Sequence, residues 1–232
     1  MRGVYLGGGG SAEQEAELWK EAFNPGDSVV IWPFAHAAIQ DRESSIAWMR
    51  GALASYALRS IDAWIEARIE DAGLSGVDVV CIPGGNTFAL LHELRSTGLL
   101  QLLQEHLRAG GRYYGGSAGA ILAGTDISIA LDADPNDVGL SSTGGLDLIG
   151  GMDVLPHYAP SAREVAREHT ALTGRPVLCL PEASGVVVSE GRLRNVGPEP
   201  IEIVDRDHLR FLRAGDNYPA ALGPSAAPTS TT

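Results

Sequence analysis

Cysteine is scarce, with two residues in a chain of 232. Cys81, in VDVVCIPGG, and Cys179, in RPVLCLPEAS, each lie inside a short apolar run of the kind that forms a buried strand. That placement marks inert buried thiols, and the spacing excludes a zinc knuckle, a redox pair and a disulfide framework. Positive charge is also short. Against 29 Asp and Glu stand 17 Lys and Arg, a formal net charge of −12. No basic stretch is left to neutralise phosphates, which argues against nucleic acid and anionic membranes as partners and for small molecules or peptides. Long apolar runs are missing too. The N-terminal MRGVYLGGGGSAEQ lacks the apolar core of a signal peptide, and no segment approaches the roughly 20 residues that span a bilayer. A cytoplasmic location is the expectation.

Apolar residues make up 44% of the chain and charged residues 20%, mixed along its length as in a globular protein. No composition break divides it, so a single domain is expected over residues 1–222. The last stretch, GPSAAPTSTT, is too polar and small to offset its ordering entropy, and residues 223–232 read as a loose tail.

Short apolar runs alternate with amphipathic ones, the pattern of strands separated by crossover helices. GVYLGG, SVVIWPFA, VDVVCIPGG and RYYGGS read as strands, with VDVVCIPGG apolar on both faces and therefore central. SAEQEAELWKEAF reads as a helix capped by its serine, and residues 42–72 as one or two helices. NTFALLHELRSTG starts at an Asn86 cap, LLQLLQEHLRAGG ends in a glycine C-cap, and AGAILAG begins directly after Ser117. Residues 126–151 read as loops and short strands over one end of the sheet. MDVLPHY, PVLCLPE, GVVVSEGRLRNV and IEIVD supply later strands, the last ones an antiparallel meander, and SAREVAREHTAL a capped helix. The fold class is α/β, a three-layer α/β/α sandwich with a mainly parallel sheet. Ligands of such folds sit outside the carboxyl ends of the strands.

At one of those ends stands GGRYYGGSAGAILAG. Gly115, Ser117 and Gly119 satisfy G-x-S-x-G, in which a nucleophile occupies a tight strand-to-helix turn. The bare pattern recurs by chance in a chain with 29 glycines, and a plain glycine loop is the competing reading. Context favours the nucleophile, because a strand precedes it and a helix follows, offering the Ala118 N–H to an oxyanion. A serine needs a base. His92, His106 and His169 fall in or near the end of helices as surface or cap residues, and His208 lies in a late polar segment. His36 follows a strand as a possible pocket residue, whereas His157 follows MDVLP at a strand end and is the best-placed base. For the acid, Glu182 in LCLPEAS and Asp132 after the serine helix both qualify.

PGGNTFALLHEL, GGSAGAILAG, VLPHY and LPEAS, in that order and with WPFA upstream, resemble the serine peptidase family of dipeptidase E and cyanophycinase, peptidase family S51, in its compact dipeptidase E branch. The resemblance implies a class I glutamine-amidotransferase-like (flavodoxin-like) sandwich with Ser117 as nucleophile and His157 as base. The acid falls on Glu182 by the LPE motif, with Asp132 the alternative by spacing. Gly85 of PGGNT would pair its N–H with that of Ala118 as oxyanion donors, and Asn86 beside it would face substrate. An arginine after the histidine would hold an aspartyl carboxylate in its two-pronged fork, and Arg163 and Arg167 are offered here. The segment from His157 to Arg163 is shorter than in dipeptidase E, which sets a broader dipeptidase range beside Asp-X specificity. The resemblance implies no metal or cofactor, a short peptide substrate, and a monomer or small homo-oligomer. Two other readings stand beside it: hydrolysis of β-aspartyl-arginine, as in cyanophycinase, and a non-catalytic metabolite-binding sandwich. The latter would use Gly7, Gly9 and Ala12 as G-x-G-x-x-A, with Asp27 as the acidic partner.

Overall fold

Runs of β-branched and aromatic residues build the centre of the molecule. The computed structural model describes residues 3–69, 73–206 and 208–220. The strands β1 (Val4–Gly7), β2 (Ser28–Ile31), β3 (Ser60–Ala63), β4 (Val79–Ile82) and β5 (Arg112–Gly116) lie parallel in the order β1-β5-β4-β2-β3. Further along come β6 (Asp153–Leu155), β7 (Val177–Cys179), β8 (Gly185–Ser189), β9 (Arg192–Asn195), β10 (Ile201–Val204), β11 (Leu209–Leu212) and β12 (Asn217–Pro219). β8, β9 and β12 extend the main sheet antiparallel beyond β1, making eight strands.

Side chains alternate across this sheet, as the pleat requires. Tyr5, Val29, Ile31, Val79, Cys81 and Tyr114 point into one core with α1 (Ala16–Ala22) and α2 (Ile39–Leu53). Val4, Leu6, Val30, Val80, Ile82 and Tyr113 point into the other, with α3 (Thr87–Ser96), α4 (Leu99–Arg108) and α5 (Ala118–Leu122). Central β4 is buried throughout, as a parallel strand covered on both faces must be. The α/β layering and the mainly parallel sheet are therefore as the sequence pattern implies.

Several local expectations change. The stretch 42–72 holds one helix and then the edge strand β3, whose SIDA sequence is only partly buried and so carries little apolar signal. Residues 70–72 of that stretch lie outside the described residues. β6 and β7 do not join the main sheet. They pair parallel in a second, four-stranded sheet ordered β11-β10-β7-β6, so the expected meander is divided: β8–β9 stay in the first sheet and β10–β11 in the second. Period-2 alternation reports that a strand is buried and is silent on which sheet takes it.

Helix starts move as well. Ser11 caps a turn, accepting from the Gln14 N–H at 3.3 Å, and α1 proper begins only at Ala16. α6 (Arg163–Thr173) follows a 3-10 turn over Pro160–Ala162 with no side-chain cap, and ends on left-handed Gly174 at φ 75°. Asn86 does cap α3, accepting the Ala89 N–H at 2.8 Å. Residues 126–151 are irregular apart from a 3-10 turn over Ser128–Asp132 and one bridge between Asp126 and Gly144. No helix among the described residues is long and apolar enough to cross a membrane. The expected tail, 223–232, lies outside the described residues.

Candidate active site

Ser117 stands where β5 passes into α5, and the backbone there is bent out of the ordinary regions, with φ 49° and ψ −109°. Such a conformation costs about 1–3 kcal/mol and needs its surroundings to hold it. The glycines make the turn possible. A β-carbon at Gly115 would sit 2.5 Å from the Gly119 carbonyl oxygen, and one at Gly119 would collide with the Ile82 carbonyl, so α5 starts tight against the sheet. The Tyr113 hydroxyl donates to the Gly119 carbonyl at 2.6 Å and holds the turn from behind.

The parallel pair β6–β7 ends side by side, and the loops after the two strands supply His157, which reaches Ser117, and Glu182, which reaches His157. The Ser117 Oγ lies 2.8 Å from His157 Nε2, and His157 Nδ1 lies 3.0 Å from Glu182 Oε1. With the proton on Nδ1 donated to Glu182, Nε2 is free to accept from the serine hydroxyl. His157 and Glu182 are about half exposed, so their pairing contributes orientation more than stability. Asp132 lies elsewhere, at the exposed end of its 3-10 turn beside Ser128, Glu168 and His169, and bonds no imidazole nitrogen of His157.

The loop LGGGG connects these parts. The Gly7 carbonyl accepts the Ser117 N–H at 3.4 Å and the Gly8 carbonyl accepts the His157 N–H at 2.8 Å. β-carbons would overlap the Pro181 carbonyl at Gly8, the His157 ring at Gly9 and the Glu182 carbonyl at Gly10. The glycines therefore serve close approach to the His157 and Glu182 loops. The N–H groups of Gly9 and Gly10 donate to Glu15 Oε1 at 2.8 and 3.1 Å, which leaves them unavailable to a phosphate. Asp27, at the opposite end of β2, is paired with Arg112 and accepts the Asn24 N–H. The nucleotide-type use of Gly7, Gly9, Ala12 and Asp27 thus loses its donors and its acid.

Gly85, at φ 134°, lines the same cavity as Ser117. Its N–H and that of Ala118 have no protein acceptor among the described residues, whereas the Asn86 N–H donates to the Ala35 carbonyl at 2.8 Å. The Asn86 side chain is occupied by its cap and by donation to the Pro135 carbonyl at 2.9 Å, so it serves the fold.

The cavity over Ser117 measures about 260 Å³ and is walled by Trp48, Met49, Pro83, Tyr114, Gly85 and His157, with Glu15 at its edge. It adjoins a depression that shares Trp48, Pro83 and Gly84 and adds His36, Asp41, Ser44 and Ser45. Among the described residues, no Lys or Arg lines either hollow. A larger cavity of about 730 Å³ lies apart, between α6 and the β10–β11 hairpin, lined by Arg167, Glu168 and Arg206 among others. Size alone does not mark the site.

The arginines expected at substrate are engaged elsewhere. Arg163 donates from Nε and Nη2 to the two oxygens of Glu202, each at 2.8 Å, and the Tyr158 hydroxyl donates to the same carboxylate at 2.6 Å. The guanidinium holds the Glu202 carboxyl below its ordinary pKa, while burial and Glu202 push the Tyr158 phenol up. Arg167 lies 3.6 Å from Glu164 on an exposed face of α6. Among the other histidines, His92 and His208 are exposed. His106 is buried, not a surface residue, and His169 is held by Asp153 at 2.7 Å under the second sheet. Among the described residues no cluster of three or more His, Cys, Asp or Glu side chains is placed to hold a metal ion.

Sequence reasoning missed Glu15, Trp48, Met49 and Tyr114. Glu15 reads as a helix first-turn acid, and only its 2% exposure reveals a different place. Burial pushes its pKa up, opposed by the bonds it receives from Tyr114, Trp19, Gly9 and Gly10.

Comparisons with known proteins bear on the family of the chain and on its fold. The sequence is 39% identical over 83 residues to the uncharacterized peptidase Lmo0363 of Listeria monocytogenes, which is 35% of this chain and 40% of that protein. It is 32% identical over 139 residues to peptidase E of Citrobacter koseri, 55% of this chain and 58% of that one. The chain thus spans about half the length of the curated relatives it matches. The fold is shared with a peptidase from an acI-B1 Actinobacterium, with TM-score 0.71 and 21% identity over 94% of this chain and 96% of that one. The sequence model of peptidase family S51 matches residues 4–196, from β1 through β9 and including Ser117, His157 and Glu182, and the chain belongs to that family.

Proposed function

We propose that the protein is a serine-type exopeptidase that hydrolyses short peptides through Ser117, His157 and Glu182. The observation that carries this reading is the chain of two hydrogen bonds, 2.8 Å from Ser117 Oγ to His157 Nε2 and 3.0 Å from His157 Nδ1 to Glu182. As Oγ attacks the scissile carbonyl carbon, its proton passes to Nε2, and Glu182 stabilises the imidazolium that forms. The oxyanion takes the free N–H groups of Gly85 and Ala118, an interaction whose loss typically costs about 10²–10³ in kcat per donor. The imidazolium then gives its proton to the leaving amine as the C–N bond breaks. Water attacks the acyl-enzyme with His157 again as base, which releases the acid and restores the serine hydroxyl.

The wall of Trp48, Met49, Pro83 and Tyr114 supports a broad dipeptidase range over strict Asp-X cleavage, because an aspartyl side chain would meet no cation among the described residues there. Two free buried thiols suit a reducing compartment, and we place the enzyme in the cytoplasm. One chain supplies every group of the site, so a monomer or a small homo-oligomer would serve equally. A dipeptide library that includes Asp-X and β-aspartyl-arginine, assayed with wild type and Ser117→Ala, tests the reading. Wild type should cleave neutral dipeptides and react with a fluorophosphonate at Ser117. Full-rate cleavage by the alanine variant would end the proposal.

A further inference from the structure

One carboxylate at this site takes no part in the proton path. Glu15 is 2% exposed and accepts four hydrogen bonds: from the Gly9 and Gly10 N–H groups on Oε1, and from Trp19 Nε1 at 3.0 Å and the Tyr114 hydroxyl at 2.6 Å on Oε2. We propose that Glu15 is a positioning residue for the Ser117–His157 pair, acting through the glycine loop and through β5. The inference rests on the serine-peptidase reading and adds a residue to it.

The loop over residues 7–10 borders all three candidate catalytic segments: the Gly7 carbonyl accepts from Ser117, the Gly8 carbonyl from His157, and β-carbons at Gly9 and Gly10 would overlap the His157 ring and the Glu182 backbone. Four successive glycines have more backbone freedom than any other tetrapeptide, so such a loop must be held from outside. Glu15 does this with two charge-assisted bonds, a stronger class than neutral ones. The same carboxylate takes the hydroxyl of Tyr114, three residues before Ser117 on β5. One side chain therefore ties the strand that carries the nucleophile to the glycine loop that accepts the His157 N–H. Trp19 also donates to the Tyr114 oxygen at 3.0 Å, so the aromatic pair retains a partner without Glu15. Gly9 and Gly10 have no other acceptor among the described residues. The loop is what Glu15 removal would release.

The test compares kcat, KM, Tm and the rate of fluorophosphonate labelling for wild type, Glu15→Ala, Glu15→Gln and Trp19→Phe. Glu15→Ala should lower kcat and the labelling rate together by about a hundredfold, the scale of a 1 Å misplacement, with KM changed little. Glu15→Gln keeps a carbonyl oxygen for the two amides and should recover most of the loss. Trp19→Phe removes a donor from the same buried carboxylate and should lower Tm while leaving kcat near wild type. Should Glu15→Ala fail to fold, Glu15→Asp carries the test, since it keeps the charge and withdraws it from the loop by one methylene. Wild-type kcat in Glu15→Ala, or in Glu15→Asp where the alanine variant does not fold, overturns the proposal, as does an equal kcat loss in Trp19→Phe. A wild type that neither cleaves peptides nor takes the probe overturns the peptidase reading and this inference with it, whereas an active wild type with a fully active Glu15→Ala or Glu15→Asp variant overturns this inference alone.

Discussion

Gly9 lies against the imidazole of His157, so close that a β-carbon on it would overlap the ring. The contact gives the glycine loop after the first strand a packing role, beside N–H groups of Gly9 and Gly10 that are already taken by Glu15, and it makes that loop a sensitive point for mutation.

Gly9→Ala should therefore be costly for two reasons. It places a methyl group against His157, and it demands φ near 91°, a region alanine avoids. Displacement of the base by about 1 Å predicts a kcat loss on the order of a hundredfold. Steady-state kinetics on a neutral dipeptide, with circular dichroism as the folding control, measures it; unchanged kcat would mean that His157 moves freely.

The two candidate acids can be separated directly. Glu182→Gln should lower kcat by about 10³–10⁴, as loss of the tautomer-holding carboxylate does in Ser-His-acid triads. Asp132→Asn should leave it near wild type, because Asp132 sits beside Glu168 and His169 instead of His157. A larger loss in the Asp132 variant would reverse the assignment.

Arg163 offers a test of specificity. Both of its prongs are taken by Glu202, so Arg163→Met should lower Tm yet leave the ratio of kcat/KM between Asp-X and neutral dipeptides unchanged. A selective loss of Asp-X cleavage would return the arginine to the substrate.

Glu202 sets a pH dependence of stability. Its pKa is depressed in the folded protein, first of all by its bonds from Arg163. A depressed carboxylate stabilises the fold fully above its unfolded pKa of about 4.3, and that contribution fades as pH falls through the lower folded value. Thermal melts from pH 6 to pH 3 should show a steep fall below about pH 4.3 in wild type and a flatter curve, starting from a lower Tm, in Glu202→Gln. Parallel curves would show that other carboxylates govern acid unfolding.

Much of the site was legible because it is local. G-x-S-x-G between a strand and a helix places Ser117 on a turn, and the apolar runs before VLPHY and LPEAS place His157 and Glu182 at strand ends. Each of these signals spans fewer than a dozen residues. β3 escaped because an edge strand with partly exposed residues carries no apolar pattern. The division of the later strands between two sheets escaped because alternation is the same in either.

Pairing across the fold was decided differently. Arg163 has a guanidinium suited to any carboxylate, and it is Glu202, 39 residues away on β10, that occupies it. Glu15 reads as an ordinary helix acid until tertiary folding brings Tyr114, 99 residues distant, onto its oxygen. Periodicity, caps and turns are short-range consequences of backbone sterics, so the order of residues suffices to specify them. Which donor meets which acceptor depends on burial, where an unmatched polar group is expensive, and that matching exists only once the chain has closed on itself.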